Sequence, residues 1–129
     1  MSKPLPIPDP DTEHFWKAAA EGRLDIQRCK SCSRHIFYPR AICPYCGALG
    51  PEWVTAVGSG EVYSYTVVHR APPEFADEAP YVIALVDLDE GVRMMTRLVE
   101  VDPKQVRVGL RVQVVFAGDP PAPHFRPSP

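Results

Sequence analysis

The sequence predicts a mainly β protein: an N-terminal helix, a four-cysteine metal-binding segment, then a small OB-type barrel. Three observations predict it. All four cysteines fall in CKSCSRHIFYPRAICPYCG, residues 29–47, as two Cys-x-x-Cys pairs. Beyond residue 58, apolar residues recur at every second position, the period of half-buried strands. Only DTEHFWKAAAEGR, residues 11–23, carries a convincing helical pattern. A chain of 129 residues is one domain, or a small module joined to a modest one. The expected division is 1–24 for an extended segment and helix, 25–51 for the cysteine segment and 52–129 for the barrel with a Pro-rich tail.

In the helix, Asp11 or Thr12 can cap the start, Glu13 suits the positive end of the dipole, and Gly22 stops it. Phe15, Ala18 and Ala19 share one face, with Trp16 beside them. These side chains either pack on the body of the protein, or Phe15 and Trp16 anchor a partner. Proline, at 16 residues, is more than twice as frequent as usual. It clusters in KPLPIPDPD and GDPPAPHFRPSP, which are expected to be extended because proline fixes φ and lacks a donor. Phe125, between prolines, is placed to plug an apolar groove or to anchor a partner.

The strands follow in order. VYSYTVVH sets Val62, Ser64, Thr66 and Val68 against Tyr63, Tyr65, Val67 and His69. YVIALVDL is apolar on both faces, as a buried strand is. Asp89-Glu90-Gly91 makes a turn into VRMMTRLV, where Val92, Met94, Thr96 and Leu98 share one side, so the two strands form a hairpin. Asp102-Pro103-Lys104-Gln105 reads as one helical turn, and RVQVVF as the last clear strand. Gly58 and Gly60 sit where a barrel strand must bend. Three strands, a short helix and another strand favour an OB barrel. An SH3-like barrel is the competing arrangement.

A Cys-x-x-Cys turn aims two thiolates at one point, and two such turns complete a tetrahedron with no position open for water. Cys29, Cys32, Cys43 and Cys46 therefore read as a closed structural metal site. Gly47 follows the last ligand, where it lets backbone amides face sulfur. A thioredoxin-like role needs one such pair opening a helix in a βαβ setting, which this chain lacks. Zinc is the commoner occupant, and iron suits the same donors. The segment has only Ile26, Ile36, Phe37, Tyr38, Ile42 and Leu49 to bury. Structural zinc contributes about 10–16 kcal/mol in small peptides, comparable to a whole domain's stability. The cluster is thus a staple and not a reaction centre.

Charge narrows the partners. No acid occurs between Asp25 and Glu52, whereas Arg28, Lys30, Arg34 and Arg40 do. These cations either neutralise the thiolates or form an anion-binding or partner-facing patch. From Glu52 onward eleven acids face seven bases, so the barrel half stands near −4 (7 − 11). That sign opposes a single-stranded nucleic-acid binder, although Tyr63 and Tyr65 offer stacking faces. The longest apolar run, Tyr81 to Val86, is too short to cross a bilayer, and the N-terminus carries no signal pattern. Reduced cysteines and no export signal suggest the cytoplasm. Ser59, Ser64 and the histidines at 14, 35, 69 and 124 show no triad or acid–base signature, so no catalytic residue is assigned.

The chain resembles the DUF35 family, which joins a rubredoxin-like zinc ribbon to an OB-fold. The resemblance rests on the Phe15-Trp16 helix, the paired knuckles with Pro39-Arg40 between them, GSGEVYSYTVVHR, PYVIALVDLDEGVRMMTRLV, VGLRVQVVF and the closing HFRP, in family order over nearly the whole chain. Ser33 departs from the glycine common after the second cysteine. The resemblance implies an accessory subunit of a thiolase-fold protein acting on coenzyme A thioesters. The larger subunit would carry catalysis, in carbon–carbon bond-forming or bond-cleaving chemistry that includes thiolase-type aldolases of steroid side chains. Arg70, Arg93 and Arg97, with Arg40, Phe15 and Trp16, are the expected thioester or partner contacts, since arginine forks suit phosphates. A free-standing acyl-CoA binding protein and a nucleic-acid module are the alternatives.

Overall fold

The computed structural model describes residues 6–118 and 120–129. The first residues of the N-terminal Pro-rich stretch, and Asp119 in the C-terminal one, lie outside them. Helix α1 spans Glu13–Ala20 and buries Phe15, Ala18 and Ala19. Its start differs from expectation. Thr12 is the N-cap but makes no side-chain capping bond. Instead Asp9 Oδ1 accepts from the amides of Asp11 and Thr12, and Thr12 Oγ1 accepts from the Asp9 amide. Gly22 ends the helix at φ +82°, a conformation that costs glycine nothing.

Three short strands follow as one antiparallel sheet, with β1 (Asp25–Arg28) between β2 (His35–Ile36) and β3 (Glu52–Thr55). Ile26 sits opposite Val54, and Gln27 opposite both Trp53 and Ile36. Thus β3, the first segment after residue 51, pairs with the cysteine region and leads from there into the barrel.

The barrel comprises β4 (Ser59–Val68), β5 (Tyr81–Leu88), β6 (Arg93–Leu98), β7 (Arg111–Ala117) and β8 (Ala122–Pro127), closed in the order β4-β5-β6-β8-β7. The β6–β8 pair is parallel and the others antiparallel. A 3-10 turn, Pro103–Gln105, lies between β6 and β7, and Asp102 caps it by accepting from the Lys104 amide. This is the OB order and not the SH3-like one. Val62, Val86, Val112, Leu98 and Phe125 fill the centre.

The strand reading changes at two places. The alternation expected along β4 breaks at a bulge after Val62, where the register against β5 jumps from Val62↔Val86 to Ser64↔Leu85. The extra residue switches the parity, so Val62 before it and Val67 after it both pack on the core. The second change is the tail: RVQVVF is not the last strand, because Pro-rich APHFRP forms β8 and closes the barrel. Phe125 carbonyl accepts from the Val99 amide on the β6 side, and Pro123 carbonyl accepts from Thr96 Oγ1. Residues 123, 125 and 127 therefore turn their backbone toward β6, away from the β7 ladder. The missing amides of Pro123 and Pro127 cost that ladder nothing. Phe125 is fully buried, so it plugs the core. Gly60 sits where β4 pairs with both β5 and β7, and a Cβ there would collide with the Asp87 carbonyl.

Candidate metal centre and its surroundings

Two loops bring the thiols together. The first leaves β1 at Arg28 and returns into β2, with the Ser33 amide donating to the Cys29 carbonyl. The second is a hairpin in which the Cys43 amide donates to the Ala48 carbonyl, and the Gly47 amide to the Cys43 carbonyl. Gly47 takes φ +80° and Ser33 φ +67°. Ser33, the departure noted in the first knuckle, thus occupies the left-handed conformation that favours glycine. Buried Gln27 ties the linker between the loops to β1 by accepting from the Arg40 amide at 2.8 Å.

The four Sγ atoms lie within 4.8 Å of one another. Cys29 Sγ stands 3.5 Å from Cys46 Sγ, and Cys32 Sγ 3.7 Å from Cys43 Sγ. A tetrahedron with metal–sulfur bonds of about 2.3 Å has edges of about 3.8 Å, so the spacing fits one ion. Amides of Ser31 and Cys32 point at Cys29 Sγ, and the Tyr45 amide at Cys43 Sγ, each at 3.4 Å. These donors favour thiolate. The Cys32 amide leads in pulling Cys29 down to about 6, against the opposing effect of burial. At Cys43 burial pushes upward, but the amides of Tyr45 and Cys46 and the Cys32 sulfur outweigh it and the net direction is down. At Cys46 the Ala48 amide pulls down, yet hydrogen bonding to Cys29, with burial, raises it to about 11. Binding of a cation by these thiols is coupled to the release of their protons. Four protein ligands leave no position for a substrate, so the chemistry open to this site is structural.

Arg93 lies 3.4 Å over the Tyr63 ring and holds Asp87 through Nε at 2.6 Å. Arg97 lies 4.5 Å over Tyr81 and bonds Glu78 at 2.7 Å. Each is thus fixed by an aromatic face and a carboxylate on the outer surface of β6. Arg70 is exposed where β4 gives way to the loop before β5. Arg40 is exposed on the linker between the knuckles, donating through Nε to the Tyr38 carbonyl. Phe15 is buried and meets Trp16 edge-on at 5.0 Å and Phe37 at 5.8 Å. Trp16 is half-buried and lines a shallow apolar groove with Tyr38, Met95 and Pro123.

One cluster has no counterpart in the sequence reading. Asp25 is buried at the start of β1 and accepts from Thr55 Oγ1 at 2.7 Å, with His14 Nε2 at 2.8 Å and Arg23 at 3.6 Å. His14 stacks on Trp53 at 4.2 Å. Burial pushes the Asp25 carboxyl up, but Thr55, His14 and Arg23 together hold it below its ordinary value. This carboxylate clasps α1 to the ribbon sheet. Its partners come from three separate segments, so no local motif marks it.

The fold and the cluster define a class: a tetracysteine ribbon of rubredoxin type followed by an OB barrel. Residues 16–52 match the family described as "ChsH2, rubredoxin-like zinc ribbon domain", and residues 53–117 match "ChsH2, C-terminal OB-fold domain". The chain belongs to the DUF35 family. It is 39% identical over 108 residues to a "DUF35 domain-containing scaffold protein" of Methanothermobacter thermautotrophicus, covering 82% of this chain and 81% of that one. It is 40% identical over 129 residues to a "Probable enoyl-CoA hydratase alpha subunit" of Thermomonospora curvata, covering 98% of this chain but 40% of the relative. The chain therefore spans less than half the length of that relative. Among solved structures it superposes on a chain of the "Ltp2-ChsH2(DUF35) aldolase" with a TM-score of 0.86 at 39% identity, covering 95% of this chain and 98% of that one. Among the described residues no helix is long and apolar enough to cross a membrane.

Proposed function

We propose that this chain is a non-catalytic accessory subunit of a thiolase-like complex acting on acyl-CoA thioesters, in which zinc gives the ribbon its structure and the OB barrel helps to dock the partner and to hold or channel the thioester. One observation carries the reading: the match, over almost its full length, to a chain of an aldolase assembled from Ltp2 and ChsH2. The name of the hydratase-subunit relative adds the acyl-CoA class. Four convergent thiols in a segment matching a zinc ribbon support zinc held by Cys29, Cys32, Cys43 and Cys46, where the ion supplies structure. A reducing cytoplasm, where thiols stay available to an ion, is the compartment this reading assigns.

The contacts assigned to partner or thioester are Arg40, Arg70, Arg93, Arg97 and Trp16, with Phe15 holding Trp16 from beneath. Exposure of Arg40 and Arg70 supports direct contact. The aromatic and carboxylate clamps on Arg93 and Arg97 support preorganised forks in place of mobile charges.

The test is turnover of a 3-hydroxyacyl-CoA by the isolated zinc-loaded chain, by the Ltp2 subunit, and by the two together. The expected result is no cleavage by this chain alone and cleavage on mixing. Cleavage by the isolated chain, surviving removal of trace contaminants, contradicts the reading.

A further inference from the structure

Among the described residues, no carboxylate pairs with Lys30, Arg34 or Arg40; only Arg28 reaches one, Glu52 at 3.9 Å. The guanidinium of Arg34 lies over the Tyr45 ring at 4.8 Å. Beside these charges the second hairpin exposes apolar residues. Ile42 and Leu49 face each other across a β-bridge, 52% and 77% exposed, and Tyr45 is 55% exposed. Nothing in the ribbon's small core needs them outside, since that core consists of Cys29, Ile36 and Cys43 with Cys32 and Ala48 packed on it.

We infer that the tip of the second knuckle hairpin is a protein-docking surface. Ile42 and Leu49 would enter an apolar socket rimmed by acidic residues on the larger subunit, with Lys30, Arg34 and Arg40 meeting that rim. The inference rests on the accessory-subunit reading and deepens it by naming the face and the partner's chemistry. Charge complementarity selects the occupant. The tetrathiolate with a divalent ion carries −2, and four uninterrupted cations leave the ribbon net positive while the barrel half is near −4. The aliphatic pair at the centre suits a protein socket and not stacked bases. Tyrosine and arginine are enriched at the well-packed centres of such interfaces.

The experiment is calorimetric titration of the zinc-loaded full chain against the Ltp2 subunit. It compares wild type with I42D/L49D, with R34E/R40E, and with the charge control K104E on the 3-10 turn before β7. Zinc stoichiometry and melting temperature confirm that each variant is folded. The expected result is a loss of about 30-fold or more for I42D/L49D and about tenfold for R34E/R40E, with K104E unchanged. R34E/R40E also flattens the salt dependence of binding. Variants that bind as wild type does overturn the inference and leave the accessory-subunit reading standing. Failure of the folded wild type to bind Ltp2 at all overturns both. Self-association in sedimentation that I42D/L49D abolishes, or oligonucleotide binding that R34E/R40E abolishes, also overturns it, by giving the tip to a second copy or to nucleic acid.

Discussion

The ribbon and the barrel reach order by different means. The barrel closes five strands on a continuous core centred on Val62, Val86, Val112 and Phe125. The ribbon has two buried cysteines and Ile36 at its centre. Apolar burial at about 25 cal/mol per Å² organises the first, but the second lacks the area for it. A structural ion worth on the order of 10 kcal/mol can replace that area. The contrast teaches that the half with little core can present apolar and cationic groups outward, because its shape does not depend on hiding them.

The comparison breaks most sharply at the metal. Cys43→Ser removes a buried ligand, and hydrogen exchange should then show residues 29–50 losing protection while the β4, β5 and β7 amides keep theirs. Phe125→Ala inverts the pattern. It opens a cavity at the closure of the barrel and costs about 3–5 kcal/mol by denaturant titration, with zinc stoichiometry unchanged. Asp25→Asn tests the join between the halves. It weakens hydrogen bonds to a buried charge and costs about 1.5–3 kcal/mol. Because the Asp25 carboxyl is held low in the fold, its contribution is complete above an unfolded value of about 3.9 and fades as pH falls through the depressed one. The stability–pH curve of Asp25→Asn should therefore be flatter on its acid limb than that of wild type. Arg93→Ala has the smallest effect. Its pair with Asp87 is exposed, and the melting temperature should move by no more than about 2 °C.

Legibility in the sequence followed locality. The four ligands were readable because the members of each pair lie only three residues apart and need only their own turn. The hairpin of β5 and β6 was readable because Val92, Met94, Thr96 and Leu98 keep one parity and one short turn sets the register. What escaped depends on neighbours distant in the chain. The last strand was hidden by its prolines, which are harmless only because residues 123, 125 and 127 turn toward sparsely paired β6. The bulge after Val62 inserts one residue that no composition rule marks. The clasp of His14, Asp25 and Thr55 joins a helix and two strands, and none of the three residues signals the others. Cations without acids were visible in the chain, but only the fold shows Ile42 and Leu49 side by side among them.

The most direct measurement is chelator removal of the ribbon's metal from the full chain, followed by hydrogen exchange and Ltp2 titration on the same sample. We predict that residues 29–50 exchange freely, the barrel stays protected, and affinity for Ltp2 is lost, with all three restored by one equivalent of zinc. A metal-free chain that keeps its ribbon protection and binds Ltp2 as tightly as before would contradict a docking surface built by the ion.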